Sequence, residues 1–195
     1  MSTVLPSQTL GTALYQENFS LRSPLPLKNN YLWKIETGVV RTFTWLEDGT
    51  LVTTGLWGPG DLVGKALSTL DPYQIESLTH VQASLLPLEN EQIRSEWLLN
   101  HLQQIEALIV IRSYRRVDMM LVKLLVWLGK RFGRAVETGN LIDLRLTHHD
   151  LAEMLGTTRV TVTRILGKLE EQGLIQRLQL QRIVLKEDEL WHYEI

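Results

Sequence analysis

The stretch that decides the fold is Thr147-His-His-Asp-Leu-Ala-Glu-Met-Leu-Gly-Thr-Thr-Arg-Val-Thr-Val-Thr-Arg-Ile-Leu-Gly-Lys-Leu-Glu170. A threonine followed by an acid at Asp150 predicts the start of a helix, because this pair satisfies free amides of the first turn. Gly156 predicts a sharp turn, since glycine adopts the left-handed conformation without strain. A second helix is predicted to begin after Thr157 or Thr158. Two short helices joined in this way are typical of a helix-turn-helix.

The spacing of small and apolar residues supports this prediction. Ala152 is small enough to let the two helices approach, and Val162 and Ile165 face inward together from the second helix. The opposite face of that helix carries arginine, which bonds bidentately to guanine, and methyl groups that contact thymine. We therefore predict that the following residues read DNA bases: Arg159, Val160, Thr163 and Arg164.

Two short strands are predicted after the second helix, over Ile175–Leu178 and Arg182–Leu185, with a turn at 179–181 between them. Such a pair forms the wing of a winged helix-turn-helix. Arginines at the flank of a DNA-binding motif are suited to phosphate oxygens. We therefore predict that Arg177 and Arg182 contact the phosphate backbone of DNA.

Basic side chains are concentrated in the same part of the chain. The net charge is −2, but residues 112–186 carry 14 of the 20 Lys and Arg residues and 7 of the 22 Asp and Glu residues. This asymmetry is typical of a protein of which one part meets a polyanion, although a solvated basic face gives the same count. Cysteine is absent, which excludes disulfides, iron–sulfur clusters and cysteine zinc sites. No apolar run suits a membrane span, and the N-terminal residues lack the basic-then-apolar order of a signal peptide, so we expect a cytoplasmic protein.

The first 88 residues predict short strands and turns, because all six prolines lie among them. The pair Asp48-Gly49 between Val39–Leu46 and Thr50–Trp57 is a hairpin signal. Further strands are predicted over 31–35 and 80–88. Many short strands with regular turns are typical of a small roll or barrel.

From residue 89 the pattern becomes helical, with no proline or glycine until Gly129. Four apolar residues follow one another at steps of 4, 3 and 4, which is the seam of a coiled coil: Leu98, Leu102, Ile105 and Ile109. We predict a dimer contact here, although so short a seam also suits packing on the roll. A second, strongly apolar helix is predicted over Val117–Leu128, ending at Gly129 and Gly133, and a strand over Leu141–Leu146.

These parts, in this order, resemble the Crp/Fnr family of transcription regulators over essentially the whole chain. Within the family, the run Leu146–Leu169 is especially similar to the nitrogen-control regulators of cyanobacteria. The resemblance implies an α+β fold with a shortened N-terminal β-roll over 1–88, a linker and dimer helix over 89–116, and a winged helix-turn-helix over 117–195. It also implies contacts with DNA phosphates for these residues: Thr147, His149, Thr158 and Thr161.

The same resemblance implies a function. The chain is expected to bind double-stranded DNA as a homodimer, with RNA polymerase as a further partner and a cyanobacterial source. The expected operator is a palindrome of GTA and TAC triplets about one helical turn apart.

The N-terminal part departs from the cyclic-nucleotide members of the family, which carry a Gly-Glu pair with a ribose-binding glutamate and a later Arg-Ser or Arg-Thr that holds the cyclic phosphate. Here Lys65 stands where the glutamate is expected, and no arginine lies between Arg41 and Arg94. We therefore expect no binding of cyclic AMP, since its phosphate lacks a bidentate partner. The remaining candidate ligands for an effector of unknown identity are Lys65, Arg112, Arg115 and Arg116. Solvated charges at a helix end are the alternative for these residues.

Two other functions are consistent with parts of the sequence. The first is a β-roll enzyme, but such rolls bind a metal through several histidines, and only His80 of the five histidines lies in this part. We therefore expect no metal, no cofactor and no enzymatic activity. The second is a regulator that senses no ligand and either binds DNA constitutively or answers to a partner protein. The missing phosphate-binding residues support this second alternative.

Overall fold

The computed structural model describes residues 15–89 and 95–186. The described residues form eleven strands and four α-helices. In chain order these are β1 (Tyr15–Phe19), β2 (Tyr31–Thr37), β3 (Val40–Trp45), β4 (Leu51–Trp57), β5 (Leu62–Val63), β6 (Gln74–Ser77), β7 (Val81–Pro87), α1 (Ser95–Arg112), α2 (Val117–Phe132), β8 (Gly133–Val136), β9 (Gly139–Ile142), α3 (His148–Leu155), α4 (Arg159–Glu171), β10 (Ile175–Arg177) and β11 (Ile183–Leu185).

The first seven strands form two antiparallel sheets with the strand orders β1-β7-β2-β5 and β4-β3-β6. Both sheets contribute to one apolar core, with Trp33 and Ile35 from the first sheet and Val40, Trp57 and Ile75 from the second. The hairpin of β3 and β4 lies where the Asp-Gly signal predicts it. The predicted β-roll and the α+β fold class are therefore confirmed.

The long helical part consists of two helices with different surroundings. Ten successive residues of α2, from Met120 to Gly129, are buried, so this helix lies at the centre of the molecule. The predicted break at Gly129 is wrong, because α2 continues to Phe132, whereas Gly133 caps the end of the helix as predicted. A Cβ atom on Gly129 would lie 2.7 Å from Cδ1 of Leu185. This glycine therefore makes room for the packing of β11 on the helix and does not stop it.

The third sheet has the strand order β10-β11-β9-β8 and completes the wing. The predicted strand over Leu141–Leu146 is wrong in its extent, since β9 ends at Ile142 and pairs with β8, a strand that the sequence did not predict. Leu144 and Leu146 are buried outside any strand, which explains the apolar alternation that suggested one. The turn between β10 and β11 contains no glycine. It places Leu180 and Gln181 in the left-handed region instead, at φ 58° and 61°.

The roll and the C-terminal part share an apolar core within one chain. Val39, Leu56 and Leu78 of the roll belong to the same cluster of buried side chains as α2, α3 and α4. In the described parts of the chain, no helix is long and apolar enough to cross a membrane. Among those same residues, no group of three or more His, Cys, Asp or Glu side chains could hold a metal ion.

Candidate nucleic-acid interface

The start of α3 is fixed by the predicted cap. The hydroxyl of Thr147 accepts a hydrogen bond from the amide of Asp150 at 3.0 Å, and the Asp150 carboxylate accepts one from the amide of Thr147 at 2.7 Å. Gly156 follows the helix at φ +64°, in the left-handed region. The hydroxyl of Thr158 then caps α4 by accepting a hydrogen bond from the amide of Thr161 at 3.2 Å. Three local signals thus place the two helices as predicted.

The inner faces of α3 and α4 pack as the spacing predicts. Ala152, Val162 and Ile165 are all buried. Ala152 has no atoms beyond Cβ, which permits the close approach of the two helices. The second helix is therefore held rigidly, with its opposite face directed outward.

The outer face of α4 brings together all four residues predicted to read bases. Arg159, Val160, Thr163 and Arg164 are exposed, and 77% of Val160 is accessible. Arg159 lies one turn before Thr163, and Val160 lies one turn before Arg164, so the four residues form two adjacent rows on the exposed side of the helix. The arrangement therefore presents two guanidinium groups and two methyl-bearing side chains on one surface.

The residues predicted to meet DNA phosphates lie at the starts of the two helices. Thr147 and His149 lie at the start of α3, while Thr158 and Thr161 lie at the start of α4. The hydroxyls of Thr158 and Thr161 are 2.9 Å apart. Helix N-termini attract anions through their free amides and the helix dipole. The structure thus places these four side chains where phosphates can approach them.

Both wing arginines have acidic partners that the sequence reasoning missed. The Arg177 side chain donates to the Glu170 carboxylate at 2.7 Å, and its backbone amide donates to the same group at 2.9 Å. The hydrogen bonds from Arg177 lower the pKa of Glu170. Arg182 lies 3.5 Å from the carboxylate of Asp143. A phosphate at the wing therefore has to compete with a carboxylate for each arginine.

Five charged side chains connect α3 to the roll, and we call this group the roll clamp: Arg22, Arg41, Glu76, Asp150 and Glu153. Arg22 donates to Asp150 at 2.6 Å and Arg41 donates to Glu153 at 2.7 Å. Both arginines also bind Glu76 of the roll, at 3.2 and 2.8 Å. The clamp therefore ties the first helix of the helix-turn-helix to β3 and β6.

Known proteins resemble this chain in sequence and in fold. The sequence model of the Crp-like helix-turn-helix domain matches residues 121–193. The regulatory protein CysR of Synechococcus elongatus is 43% identical over 188 residues, which cover 94% of this chain and 90% of that protein. The chain belongs to the Crp/Fnr family of transcription regulators. Its function is therefore that of a DNA-binding transcription regulator with a helix-turn-helix, as the sequence predicts.

Further relatives agree with this assignment. The global nitrogen regulator of Nostoc sp. is 41% identical over 155 residues, which cover 71% of this chain and 69% of that protein. FixK2 from Bradyrhizobium japonicum has the same fold, with a TM-score of 0.75 over 93% of this chain and 97% of that chain at 19% identity. A Crp/Fnr-family regulator from Thermus thermophilus also superposes with a TM-score of 0.75, over 92% of this chain and 97% of that chain, at 22% identity.

Of the four residues of the predicted dimer seam on α1, three are exposed and one packs on the roll. Leu98, Leu102 and Ile109 are exposed, with 62% of Leu102 and 60% of Ile109 accessible in the single chain. Ile105 is half-buried and packs against the core of the roll. Leu99, which the sequence reasoning left out, is exposed and extends the apolar surface. The outer side of α1 is thus apolar, and its inner side holds the roll.

A cavity lies between α1 and the roll, with a volume of about 300 Å³. Its polar lining includes Thr42, Thr54, Tyr73 and His101, together with the guanidinium of Arg112. This guanidinium donates to the backbone oxygens of Met154 in α3 and of Thr53 in β4, the former at 2.6 Å. Arg112 therefore joins three parts of the molecule.

The other three candidate effector ligands do not line this cavity. Lys65 donates to the backbone oxygen of Leu70. Arg115 and Arg116 follow the end of α1 and are exposed. Arg116 donates to Asp118 at 3.0 Å and borders a groove beside Arg164 of α4. The structure thus places Arg116 next to the recognition helix and away from the cavity.

Proposed function

We propose that this regulator acts in the cytoplasm as a homodimer, without enzymatic activity, and binds a palindromic operator in double-stranded DNA. The observation that carries the proposal is the coexistence of two exposed surfaces in one chain. The outer face of α4 offers the base-reading side chains, and the outer side of α1 offers an apolar stripe. The first surface suits a half-site, and the second suits a second copy of the chain.

The apolar stripe is the basis for the dimer. Exposed apolar patches on a soluble protein mark interaction sites, because their burial stabilises a complex. Pairing α1 with its copy along Leu98, Leu102 and Ile109 relates the two chains by a two-fold axis. A two-fold dimer of this kind places the two α4 helices in successive major grooves, about 34 Å apart. A palindrome of GTA and TAC triplets has the matching symmetry.

We further propose that the phosphate backbone of DNA is contacted by the starts of α3 and α4, by the two wing arginines and by Arg116. The groove beside α4 carries three cations, Arg116, Arg164 and Lys168, against the one carboxylate of Asp118, and this excess of positive charge favours a phosphate strand. Once bound, the dimer is proposed to contact RNA polymerase, as its kinship implies.

The direct test is fluorescence anisotropy of the full chain with a labelled duplex that contains the GTA and TAC palindrome, and with a scrambled duplex of the same composition. We expect tighter binding of the palindrome at all salt concentrations, because base contacts add to the phosphate contacts that both duplexes provide. Equal affinity for the two duplexes at every salt concentration would contradict sequence reading by α4.

The dimer is tested with Leu102→Glu, which places a charge in the apolar stripe. We expect a monomer in sedimentation velocity and a loss of palindrome binding, since the two half-sites are then bound independently. Leu46→Glu is the matched control, because Leu46 is 52% exposed on the β3–β4 turn and lies outside the stripe. A dimeric Leu102→Glu variant would show that the interface lies elsewhere.

A regulator without a small-molecule effector is the second candidate, and Arg112 favours it. Two backbone oxygens of the protein already accept hydrogen bonds from its guanidinium, and the rings of Trp57 and His101 stack in the cavity wall with centroids 3.9 Å apart. Thermal unfolding with cyclic AMP and with 2-oxoglutarate distinguishes the candidates, because a ligand that binds only the folded state raises the midpoint. A raised midpoint with either compound would favour the effector-controlled form.

A further inference from the structure

On the outer face of α4, the hydroxyl of Thr163 makes two hydrogen bonds within the protein. Its hydroxyl donates to the backbone oxygen of Arg159 at 2.9 Å, one helical turn earlier. The same hydroxyl oxygen lies 2.7 Å from Nδ1 of His148, the first residue of α3. A side chain from the first helix thus reaches across to the recognition helix.

The hydrogen count decides which atom donates in this pair. A threonine hydroxyl has one proton and two acceptor lone pairs. Because its proton goes to the Arg159 oxygen, Nδ1 of His148 carries the proton and donates to Thr163. Burial lowers the pKa of His148, as do the charges of Arg177 and Arg159, which favours a neutral ring with this tautomer.

We propose that Thr163 reads DNA only through its methyl group, which contacts the methyl of a thymine, and that His148 is the positioning residue that holds it in this orientation. The proposal rests on the proposed function, since it concerns the base-reading face of α4. Thr163 is exposed, and its hydroxyl proton and one of its two lone pairs are engaged within the protein, so the hydroxyl has no proton left to donate to a base edge while the methyl stays free to make contact. An apolar group discriminates thymine from cytosine through the C5-methyl, and makes no use of the donors and acceptors of the base edge.

A freely rotating hydroxyl would behave differently. It can donate to or accept from most base edges, so it contributes affinity with little selectivity. The hydrogen bond from His148 and the one to Arg159 remove this freedom. These two hydrogen bonds therefore turn Thr163 from a residue that accepts most bases into one that is selective for thymine.

The experiment uses anisotropy with the full chain and three duplexes: the GTA and TAC palindrome, the same palindrome with dU in place of every thymine of the triplets and their complements, and the scrambled duplex. The readout is the affinity ratio between the thymine and the dU palindromes. Burial of one methyl group corresponds to about fourfold in affinity, so the two Thr163 methyls of a dimer are expected to contribute about fifteenfold to the ratio. Thr163→Val keeps the methyl and should retain this ratio, whereas Thr163→Ser keeps the hydroxyl and should lower the ratio by about fifteenfold, which leaves only the part that other methyl-bearing side chains contribute.

Two further pairs of variants separate positioning from general damage. His148→Asn retains a donor in the place of Nδ1 and should keep the ratio, while His148→Ala should lower it. Thr138→Val and Thr138→Ser change an exposed threonine of the β8–β9 turn, outside the residues proposed to meet DNA, and neither should alter the ratio.

The outcomes distinguish this inference from the proposed function. In one outcome, the wild-type chain prefers the palindrome over the scrambled duplex and yet binds the thymine and dU palindromes with equal affinity. That result overturns the reading of thymine by its methyl group and leaves the proposed operator unaffected. A Thr163→Ser variant with the full ratio, or a Thr163→Val variant without it, also overturns the inference, since the hydroxyl is then the reading group. No preference of the wild-type chain for the palindrome overturns both.

Discussion

Replacing Asp150 by asparagine removes one charge from the roll clamp and leaves the size of the side chain unchanged. In the wild-type chain the carboxylate accepts hydrogen bonds from Arg22 at 2.6 Å, from the amide of Thr147 at 2.7 Å and from its hydroxyl at 2.8 Å. Asp150 thus serves as the acid of the α3 cap and as the partner of a roll arginine. We expect the variant to lose both functions in part.

The structure sets the size of the effect. Removing one partner of a fully buried ion pair costs about 3–5 kcal/mol, but 33% of the Arg22 side chain is accessible, so water replaces part of what it loses. A cap residue contributes about 1 kcal/mol, of which the asparagine retains a share. We therefore expect Asp150→Asn to lower the free energy of unfolding by about 2 kcal/mol, which corresponds to a fall in midpoint temperature of about 4–8 °C for a chain of this length.

The assay is urea unfolding at fixed chain concentration, followed by the fluorescence of the six tryptophans. Glu171→Gln is the control, because it removes an exposed carboxylate from α4 in the same domain. If Asp150→Asn unfolds at the same urea concentration as this control, the clamp does not hold α3, and the reasoning is refuted.

The same carboxyl predicts a pH dependence with a definite sign. Burial alone would raise the pKa of Asp150, but the hydrogen bonds from Arg22 and Thr147 outweigh burial and hold the pKa below its ordinary value. A group with a lowered pKa in the folded state contributes its full stabilisation above its unfolded pKa, about 4, and loses it as the pH falls through the folded value. The difference between the wild type and Asp150→Asn should therefore be constant down to about pH 5 and shrink below about pH 4.

Four further predictions concern DNA binding and the turns. Arg164→Ala should relax the preference for one base pair in each half-site by about 1–3 kcal/mol, measured with single substitutions in the palindrome. Glu170→Gln should strengthen binding to the palindrome and the scrambled duplex alike, because it frees Arg177 for a phosphate; equal affinities of variant and wild type would show that the wing stays away from DNA. Gly156→Ala should cost about 1–2 kcal/mol in urea unfolding, since its Cβ meets no atom and only the left-handed backbone is strained. Gly139→Ala should cost clearly more, because its Cβ would overlap the backbone oxygen of Leu185.

The parts of the fold that the sequence predicted correctly depend on local signals. The cap at Thr147, the turn at Gly156 and the inward spacing of Val162 and Ile165 all lie within a few residues of one another. Such signals act over one or two helical turns, and here they agree with one another. The exposure of the base-reading face follows from the same local spacing.

The errors arise where tertiary packing decides. Gly129 has the appearance of a helix stop, but its role is to admit the side chain of Leu185, 56 positions away in sequence. Ile105 fits the heptad seam, yet α1 has the roll on one side, and periodicity alone cannot tell the two apolar sides apart. The partners of Asp150 could not be predicted at all, since Arg22 lies 128 positions earlier.

The roll clamp also has a consequence for the DNA-facing side of α3. Asp150 and Glu153 lie beside Thr147 and His149, for which we propose phosphate contacts, and His149 is 3.1 Å from the carboxylate of Glu153. Two carboxylates so close to the start of a helix would repel a phosphate, because like charges at short distance in a partly buried site are poorly screened. Arg22 and Arg41 pair with these carboxylates from the side of the roll, where Glu76 shares both arginines, so they offset part of the negative charge. We therefore expect the roll to support DNA binding indirectly, since its arginines reduce the negative charge that the α3 cap presents to the phosphate backbone.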